Sequence, residues 1–250
     1  MLNGLFHPVT MDNRITKLNN TDSDYFVWLD KQNNPPKSYW RHPITSEQEL
    51  MEYKKLFQSK YGISLGAYIQ IKRVYFLLNN TQGEDKFYFS YLGTPLGTML
   101  AVSSEQGLCL LEFLDRRMLE TELMEIIKLR KACFCFEQDY HHELAVQLTN
   151  YFNQTQTTFN YPLDMIGTAF QQQVWHALLE IPYGTTACYS EQAEKLNCPT
   201  ATRAVAAANG KNKISILVPC HRVLQKNGQL GGYGGGIERK RFLLDLESKN

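Results

Sequence analysis

The chain has 250 residues, with 26 Lys+Arg against 25 Asp+Glu, 43% hydrophobic and 12% aromatic residues. That length and apolar content suit one or two domains with real cores. They exclude wholesale disorder, which goes with few aromatics and high net charge. No run approaches ~18 uninterrupted apolar residues, so no membrane association is expected, and Met1 to Asp30 show no secretory pattern. The overall charge hides an asymmetry: residues 1–80 carry a net +3, residues 81–166 a net −6 and residues 167–250 a net +4. A polyanion would be met at the basic ends.

Six cysteines, Cys109, Cys133, Cys135, Cys188, Cys198 and Cys220, are too irregularly spaced for a disulfide framework. No C-x2-C pair offers a zinc site, so no metal is expected; Cys133 and Cys135 stand one residue apart, as on a strand. Reduced thiols in a cytoplasmic protein are the expectation, and a reduced thiol can be a nucleophile.

In chain order, residues 1–38 are polar, and Pro35-Pro36 breaks any helix there. Thr45 or Ser46 is placed to cap a helix through about Lys60, with Glu47 and Glu49 in its first turn. Tyr61-Gly62 stops it, and Ser64 starts a second helix through about Leu78; Asn79 to Gly83 reads as a linker. Phe87 to Leu92, Thr98 to Val102 and Gly107 to Leu114 read as strands, followed by helices at Leu119 to Leu129 and His142 to Phe152. Strands first and then helices predict a small α+β layer structure. The last 85 or so residues read as helical. Phe170 to Leu179 is amphipathic, and Tyr189 to Leu196 with Pro199 to Asn209 has the size of a helix–turn–helix. Side chains on that last helix are small apart from Arg203. Ile214 to Val218 reads as a short strand, a glycine-dense loop spans 228–236, and a final helix starts near Glu238.

Cys220 sits in Pro219-Cys220-His221-Arg222-Val223. A thiolate attacks and a thiol barely does, so a working cysteine needs help with its proton. His221 and the charge of Arg222 are adjacent, with contact through a turn or a bridging water, and Glu247 is a candidate to orient the imidazole. A buried cysteine serving as a small apolar residue has the same local sequence. Asn209-Gly210-Lys211-Asn212 is a polar turn just upstream, and Gly232-Tyr233-Gly234-Gly235-Gly236 pairs an aromatic face with a backbone that ligands can approach closely. Arg203 reads equally as a surface charge or a functional finger.

These residues fall in a recognisable order. Gly167-Thr168-Ala169-Phe170-Gln171, Val174-Trp175, Ile181-Pro182, Gly184 and Tyr189 are followed by Arg203-Ala204-Val205-Ala206 and Asn212. Pro219 to Val223, Gly232-Tyr233, Lys240, Leu243-Leu244 and Glu247 come next. Over about 166–247 the chain resembles the methylated-DNA–protein-cysteine methyltransferases, or O6-alkylguanine-DNA alkyltransferases, and most closely the C-terminal half of the bacterial adaptive-response protein Ada. The resemblance extends loosely back to about 84. It implies an α/β (α+β) fold in three parts: an extension over 1–83, a ribonuclease-H-like domain over 84–165, and a helical, winged-helix-like DNA-binding domain over 166–250.

The resemblance also implies roles. Cys220 is matched to the alkyl acceptor, His221 to the histidine that relays the thiol proton through water, Glu247 to the carboxylate that orients it, and Asn212 to the asparagine that holds the site turn. Tyr189 and Arg203 are matched to the pair that extrudes the base, with Ala204, Lys211 and Arg222 beside them on the DNA. Tyr189, Val218, Tyr233 and Gly234 are placed around the flipped guanine. Lys213 and Arg239 are further candidates for phosphates. The implied partner is double-stranded DNA carrying O6-alkylguanine, and less readily O4-methylthymine, met by a monomer that needs no cofactor and reacts once. Three positions depart from the family pattern: Cys188 for Ser, Lys213 for Pro, and Gly234 for a residue with a side chain. Leu56 to Leu65 with Ala67-Tyr68 and Arg73 resembles the end of an AraC-type helix-turn-helix, which leaves an Ada-like regulator that senses alkylation as the alternative. A thiol hydrolase would need an acyl pocket and an oxyanion hole that this sequence does not display.

Overall fold

The computed structural model describes residues 64–248, together with Gln48, Met51, Lys54, Lys55, Phe57, Gln58 and Ser59. The expected caps at Thr45 or Ser46, the break at Pro35-Pro36 and the stop at Tyr61-Gly62 lie outside them. Helix α1 (Leu65–Asn80) starts where the sequence places it, because the Ser64 hydroxyl accepts from the Ala67 N–H at 3.1 Å. Its buried residues are Leu65, Tyr68, Ile69, Val74 and Leu78.

Strands β1 (Asp85–Thr94), β2 (Gly97–Ser104) and β3 (Gly107–Phe113) form an antiparallel meander. Helix α2 (Leu119–Arg130) then returns the chain so that β4 (Ala132–Phe136) lies parallel to β1, giving the order β3-β2-β1-β4. Strand β4 was signalled only by the spacing of Cys133 and Cys135, which pair with Lys86 and Tyr88. The sheet is buried on both faces, and alternate residues divide between them. On β2, Leu100 and Val102 face a core shared with Val74, Leu78, Leu119, Leu123 and Ile126, so α1 and α2 cover that side. Met99 and Ala101 face the other core, shared with α3 (His142–Phe152) and with Trp175, Ile214, Val218 and Leu243.

That second core is where the C-terminal segment docks. Helix α4 (Ala169–Leu179) is opened by a capping box between Thr168 and Gln171. Helices α5 (Tyr189–Lys195) and α6 (Thr202–Asn209) follow, with the 3-10 turn Pro199–Ala201 taking the first part of the expected second helix. Buried Gln192 on α5 and Asn209 on α6 exchange side-chain hydrogen bonds of 2.7 and 3.3 Å, and Trp175 Nε1 donates to the Ala208 carbonyl at 2.8 Å. Ile214 to Val218, expected as a strand, is not one. It bridges β3 once, at Leu111, and Ile216 then turns to φ 73°, a strained conformation for a β-branched residue that ends any ladder. A 3-10 turn (Cys220–Arg222), a two-residue parallel pair of β5 (Ala187–Cys188) with β6 (Val223–Leu224), and α7 (Ile237–Glu247) complete the chain. No helix among the described residues is long and apolar enough to cross a membrane.

Candidate active site and nucleic-acid interface

The irregular 212–222 segment is held from within by one side chain. Asn212 Oδ1 accepts from the Ile214 N–H at 2.9 Å, and its Nδ2 donates to the Val218 carbonyl at 2.8 Å and to Cys220 Sγ at 3.2 Å. The expected site-turn residue is thus also a direct donor to the sulfur. Cys220 lines a cavity of about 480 Å3 together with Tyr189, Ala206, Asn209, Gly210, Gln225 and the glycine loop from Gly231 to Gly234. Burial pushes the Cys220 thiol up, against the Asn212 hydrogen bond, so the resting group is the thiol and not the thiolate.

Next to it, the 3-10 turn swings His221 and Arg222 inward. Glu247 at the end of α7 meets both: His221 Nε2 lies 2.9 Å from Oε1, Arg222 Nε donates to Oε2 at 2.8 Å, and Arg222 Nη2 donates to Oε1 at 3.0 Å. The Tyr151 hydroxyl adds a bond of 2.7 Å and the Gly184 N–H one of 3.3 Å. Gly184 has φ 73°, and a Cβ there would stand 2.9 Å from the Glu247 carbonyl, so the approach requires glycine. Burial works against the Glu247 charge, but the hydrogen bonds from His221 and Arg222 outweigh it and hold the carboxyl down to about 2. An ionised carboxylate only accepts, so His221 Nε2 carries the hydrogen and Nδ1 presents its lone pair. Burial, opposed by Glu247, lowers His221, which keeps the imidazole neutral and basic at ordinary pH. Buried His221 Nδ1 makes no hydrogen bond within the described protein.

Several expected DNA contacts are placed elsewhere. Arg222 is buried, with Nη1 on the Ile181 carbonyl at 2.7 Å besides its Glu247 pair, so its guanidinium is spent inside the protein. Lys213 is also buried: its Nζ donates to the Ile166 carbonyl at 2.9 Å, pairs with Glu125 at 3.1 Å and lies 5.3 Å from the Trp175 ring centroid. Arg239 is committed to Asp115 at 2.9 Å and to the Phe113 ring at 4.0 Å. A lysine at 213 therefore ties the turn to its surroundings. Val218 contributes its carbonyl to Asn212 and to the Cys220 N–H at 2.8 Å, while its fully buried side chain is not part of the cavity lining. Arg203, Ala204 and Lys211 are exposed on and just beyond α6, and Tyr189 and Tyr233 are half-buried at the cavity. Cys188 lies 3.0 Å from Ser190 Oγ in a separate open groove.

Sequence reasoning missed Tyr151, which reads as one more apolar position on α3, and Arg116, from the loop after β3. Arg116 reaches Glu112 at 2.6 Å and Glu122 at 2.5 Å, and donates to the carbonyls of Asn212 at 3.1 Å and Gly210 at 3.3 Å.

Family models match this chain twice: residues 87–165 match the 6-O-methylguanine DNA methyltransferase, ribonuclease-like domain, and residues 169–249 its DNA binding domain. A methylated-DNA–protein-cysteine methyltransferase of Methanosarcina barkeri is 40% identical over 163 residues, which cover 65% of this chain and 98% of that protein. The chain belongs to this family. A relative of the same name from Mycobacterium bovis is 57% identical over 101 residues, 40% of this chain, and the match spans only 61% of that protein's length. The solved Mycobacterium tuberculosis OGT in complex with DNA superposes with a TM-score of 0.57 at 39% identity, covering 64% of this chain and 92% of that one. In the family frame, the ribonuclease-like domain supplies the sheet and the DNA binding domain carries Cys220.

Proposed function

We propose that the protein repairs DNA by moving the alkyl group from O6 of guanine, and less readily from O4 of thymine, onto Cys220 in one irreversible event. One observation carries the reading: Cys220 Sγ lines a cavity while accepting from Asn212, and the next residue is a neutral histidine fixed by an ionised Glu247. His221 Nδ1 takes the thiol proton through a bridging water. The sulfur then attacks the alkyl carbon, forming S–C as C–O6 breaks. O6 keeps the electron pair and receives the proton back from the imidazolium. The protein keeps a thioether, a poor leaving group, so the acceptor is consumed.

A stacked guanine is out of reach for in-line attack, so the nucleotide must leave the helix at a cost of a few kcal/mol. The small-residue face of α6, with Ala204 exposed, suits a narrow groove, and exposed Arg203 suits a wedge. Tyr189 at the cavity edge crowds the target phosphate, Tyr233 flanks the flipped base, and Lys211 meets phosphate. The same reading divides the chain into 1–83, 84–165 and 166–250, and makes it a cytoplasmic monomer. The alternative, a promoter-reading regulator, draws no support from the family matches, which cover residues 87–165 and 169–249 and not the AraC-like stretch.

The test is intact mass after mixing the protein with duplex DNA carrying one O6-methylguanine, followed by peptide mapping. A gain of one methylene on Cys220 is expected. Bound DNA with no gain in mass would overturn the repair reading in favour of the regulator.

A further inference from the structure

Arg116 belongs to the sheet half of the molecule, yet its guanidinium ends behind the wall of the Cys220 cavity. Four groups hold it there: buried Glu112 at 2.6 Å, buried Glu122 at 2.5 Å, and the carbonyls of buried Asn212 at 3.1 Å and of Gly210 at 3.3 Å. Gln70 on α1 donates to the Arg116 carbonyl, and Ser215 Oγ donates to the same Glu112 oxygen at 2.6 Å. Packing alone gives no reason for this cluster. Removing a guanidinium and its acidic partners from water costs more than their attraction reliably returns, and apolar residues of equal volume commonly fill such a site as well or better.

The position of the guanidinium supplies the reason. Gly210 and Asn212 carry the two carbonyls it grips, and Asn212 is the residue whose amide donates to Cys220 Sγ at 3.2 Å. On its other side stands Gly234, a lining residue of the cavity. A Cβ at Gly234 would lie 2.1 Å from Arg116 Nη1 and 2.6 Å from Cζ, and that arginine, pinned by two carboxylates and two carbonyls, is not free to yield. The glycine at 234 and the arginine at 116 are therefore one arrangement.

We propose that Arg116 is a positioning residue for the transfer reaction, fixing the Gly210–Asn212 turn so that the Asn212 amide stays on the Cys220 sulfur, and that Gly234 is glycine to leave the guanidinium room. The inference rests on Cys220 being the alkyl acceptor. Burial and, after it, the Glu112 charge push the Cys220 thiol up; the Asn212 hydrogen bond is the main opposing effect, and the Arg116 charge adds less than Glu112 takes away, so Arg116 acts chiefly by holding Asn212. Stabilising the sulfur through the Asn212 amide as it becomes a thiolate lowers the barrier, while Arg203 and Ala204 on α6 lie outside the gripped turn, which includes one proposed phosphate contact, Lys211.

The experiment separates binding from chemistry in Arg116→Met, Gly234→Ala and the double variant. Single-turnover transfer is measured at saturating duplex containing O6-methylguanine, the Kd for that duplex is measured on the same proteins, and Cys220 alkylation by iodoacetamide is followed without DNA. Arg116→Met should lower the transfer rate by about 10- to 100-fold, the scale of a small misplacement. Iodoacetamide alkylation, which needs no DNA contact, should slow with it, and Kd should rise by no more than the loss of the single Lys211 contact in Lys211→Ala. Gly234→Ala should slow transfer in the wild-type background and be nearly silent beside Arg116→Met, because the group it displaces is gone. A folded Arg116→Met protein with wild-type rates, or two substitutions whose effects simply multiply, would overturn the proposal. If Arg116→Met does not fold, Gly234→Ala decides: a wild-type transfer rate there overturns it. Failure of the wild-type protein to alkylate at Cys220 at all would instead overturn the repair reading beneath it.

Discussion

Two buried carboxylate–guanidinium clusters flank Cys220, and they hold charge in opposite ways. On the DNA-binding side, Glu247 is a single carboxylate surrounded by Arg222, His221, Tyr151 and the Gly184 N–H, and it is held down to about 2. On the sheet side, Glu112 and Glu122 share one guanidinium, that of Arg116. Burial dominates there, the two carboxylates repel, and Glu112 is pushed up to about 8. The ratio of donors to carboxylates, and not depth alone, decides which buried acid stays ionised. The first cluster fixes a proton acceptor in one tautomer. The second tolerates a proton of its own and spends its cation on backbone carbonyls.

Breaking the first cluster should have the largest effect. Glu247→Ala leaves Arg222 buried without its partner and frees the His221 ring, so a loss of about 3–5 kcal/mol in stability is expected. Transfer should fall by about 100-fold or more, measured in surviving folded protein by single turnover, because the positioned base is lost. A variant that keeps its transfer rate would mean that His221 is not oriented through Glu247.

Acid and base titrations sharpen the contrast with smaller effects. Glu247 lies at about 2 in the folded chain, below an unfolded value of about 4.3. Its contribution is present above the unfolded value and is lost as pH falls through about 2. Glu112 has the opposite sign. Its folded value of about 8 lies above the unfolded one, so the folded chain binds more protons in between and stability falls as pH rises through that window. Glu112→Gln should flatten the fall in Tm between about pH 5 and 8, by on the order of a few degrees. Equal slopes in wild type and variant would remove Glu112 from the account. Since His221 is lowered from its ordinary 6.5, transfer should also persist below that pH until the imidazole protonates.

Two lysines give the smallest effect and the finest division. Lys211 is exposed, whereas Lys213 is buried on Ile166 and Glu125. Lys211→Ala should weaken DNA binding and reduce the slope of log K against log salt by about 1. Lys213→Ala should leave that slope unchanged while lowering Tm. The reverse pattern would place the phosphate contact at Lys213.

How much was legible follows the same line between local and distant contacts. Ser64 and the apolar periodicity announce α1, α4 and the strands of the meander, because caps and periodic patterns are written within a few residues, whereas the Thr168 cap on α4 shows only in the structure. The Pro-Cys-His-Arg run with Asn212, Tyr189 and Glu247 is legible through its order in the family. The sequence offers Arg222 and Lys213 as DNA and phosphate contacts, but both are buried, since only the folded chain brings Glu247 and Glu125 to them. Ile214 to Val218 has the composition of a strand, but the Asn212 bonds and the positive φ at Ile216 curl it into a loop. Glu112 and Glu122 are near Arg116 in sequence, but its link to the site carries no sequence signal, because the Gly210 and Asn212 carbonyls lie over 90 residues away.

The central claim, that Cys220 is the acceptor and is consumed, is tested most directly by stoichiometry. The protein is incubated to completion with an excess of duplex carrying O6-methylguanine, and repaired guanine is counted against protein while each cysteine peptide is weighed. The account predicts that repair stops at one guanine per chain, with every added methyl on Cys220 and none on Cys188. Repair that continues past one equivalent, or a methyl found on another cysteine, would contradict it.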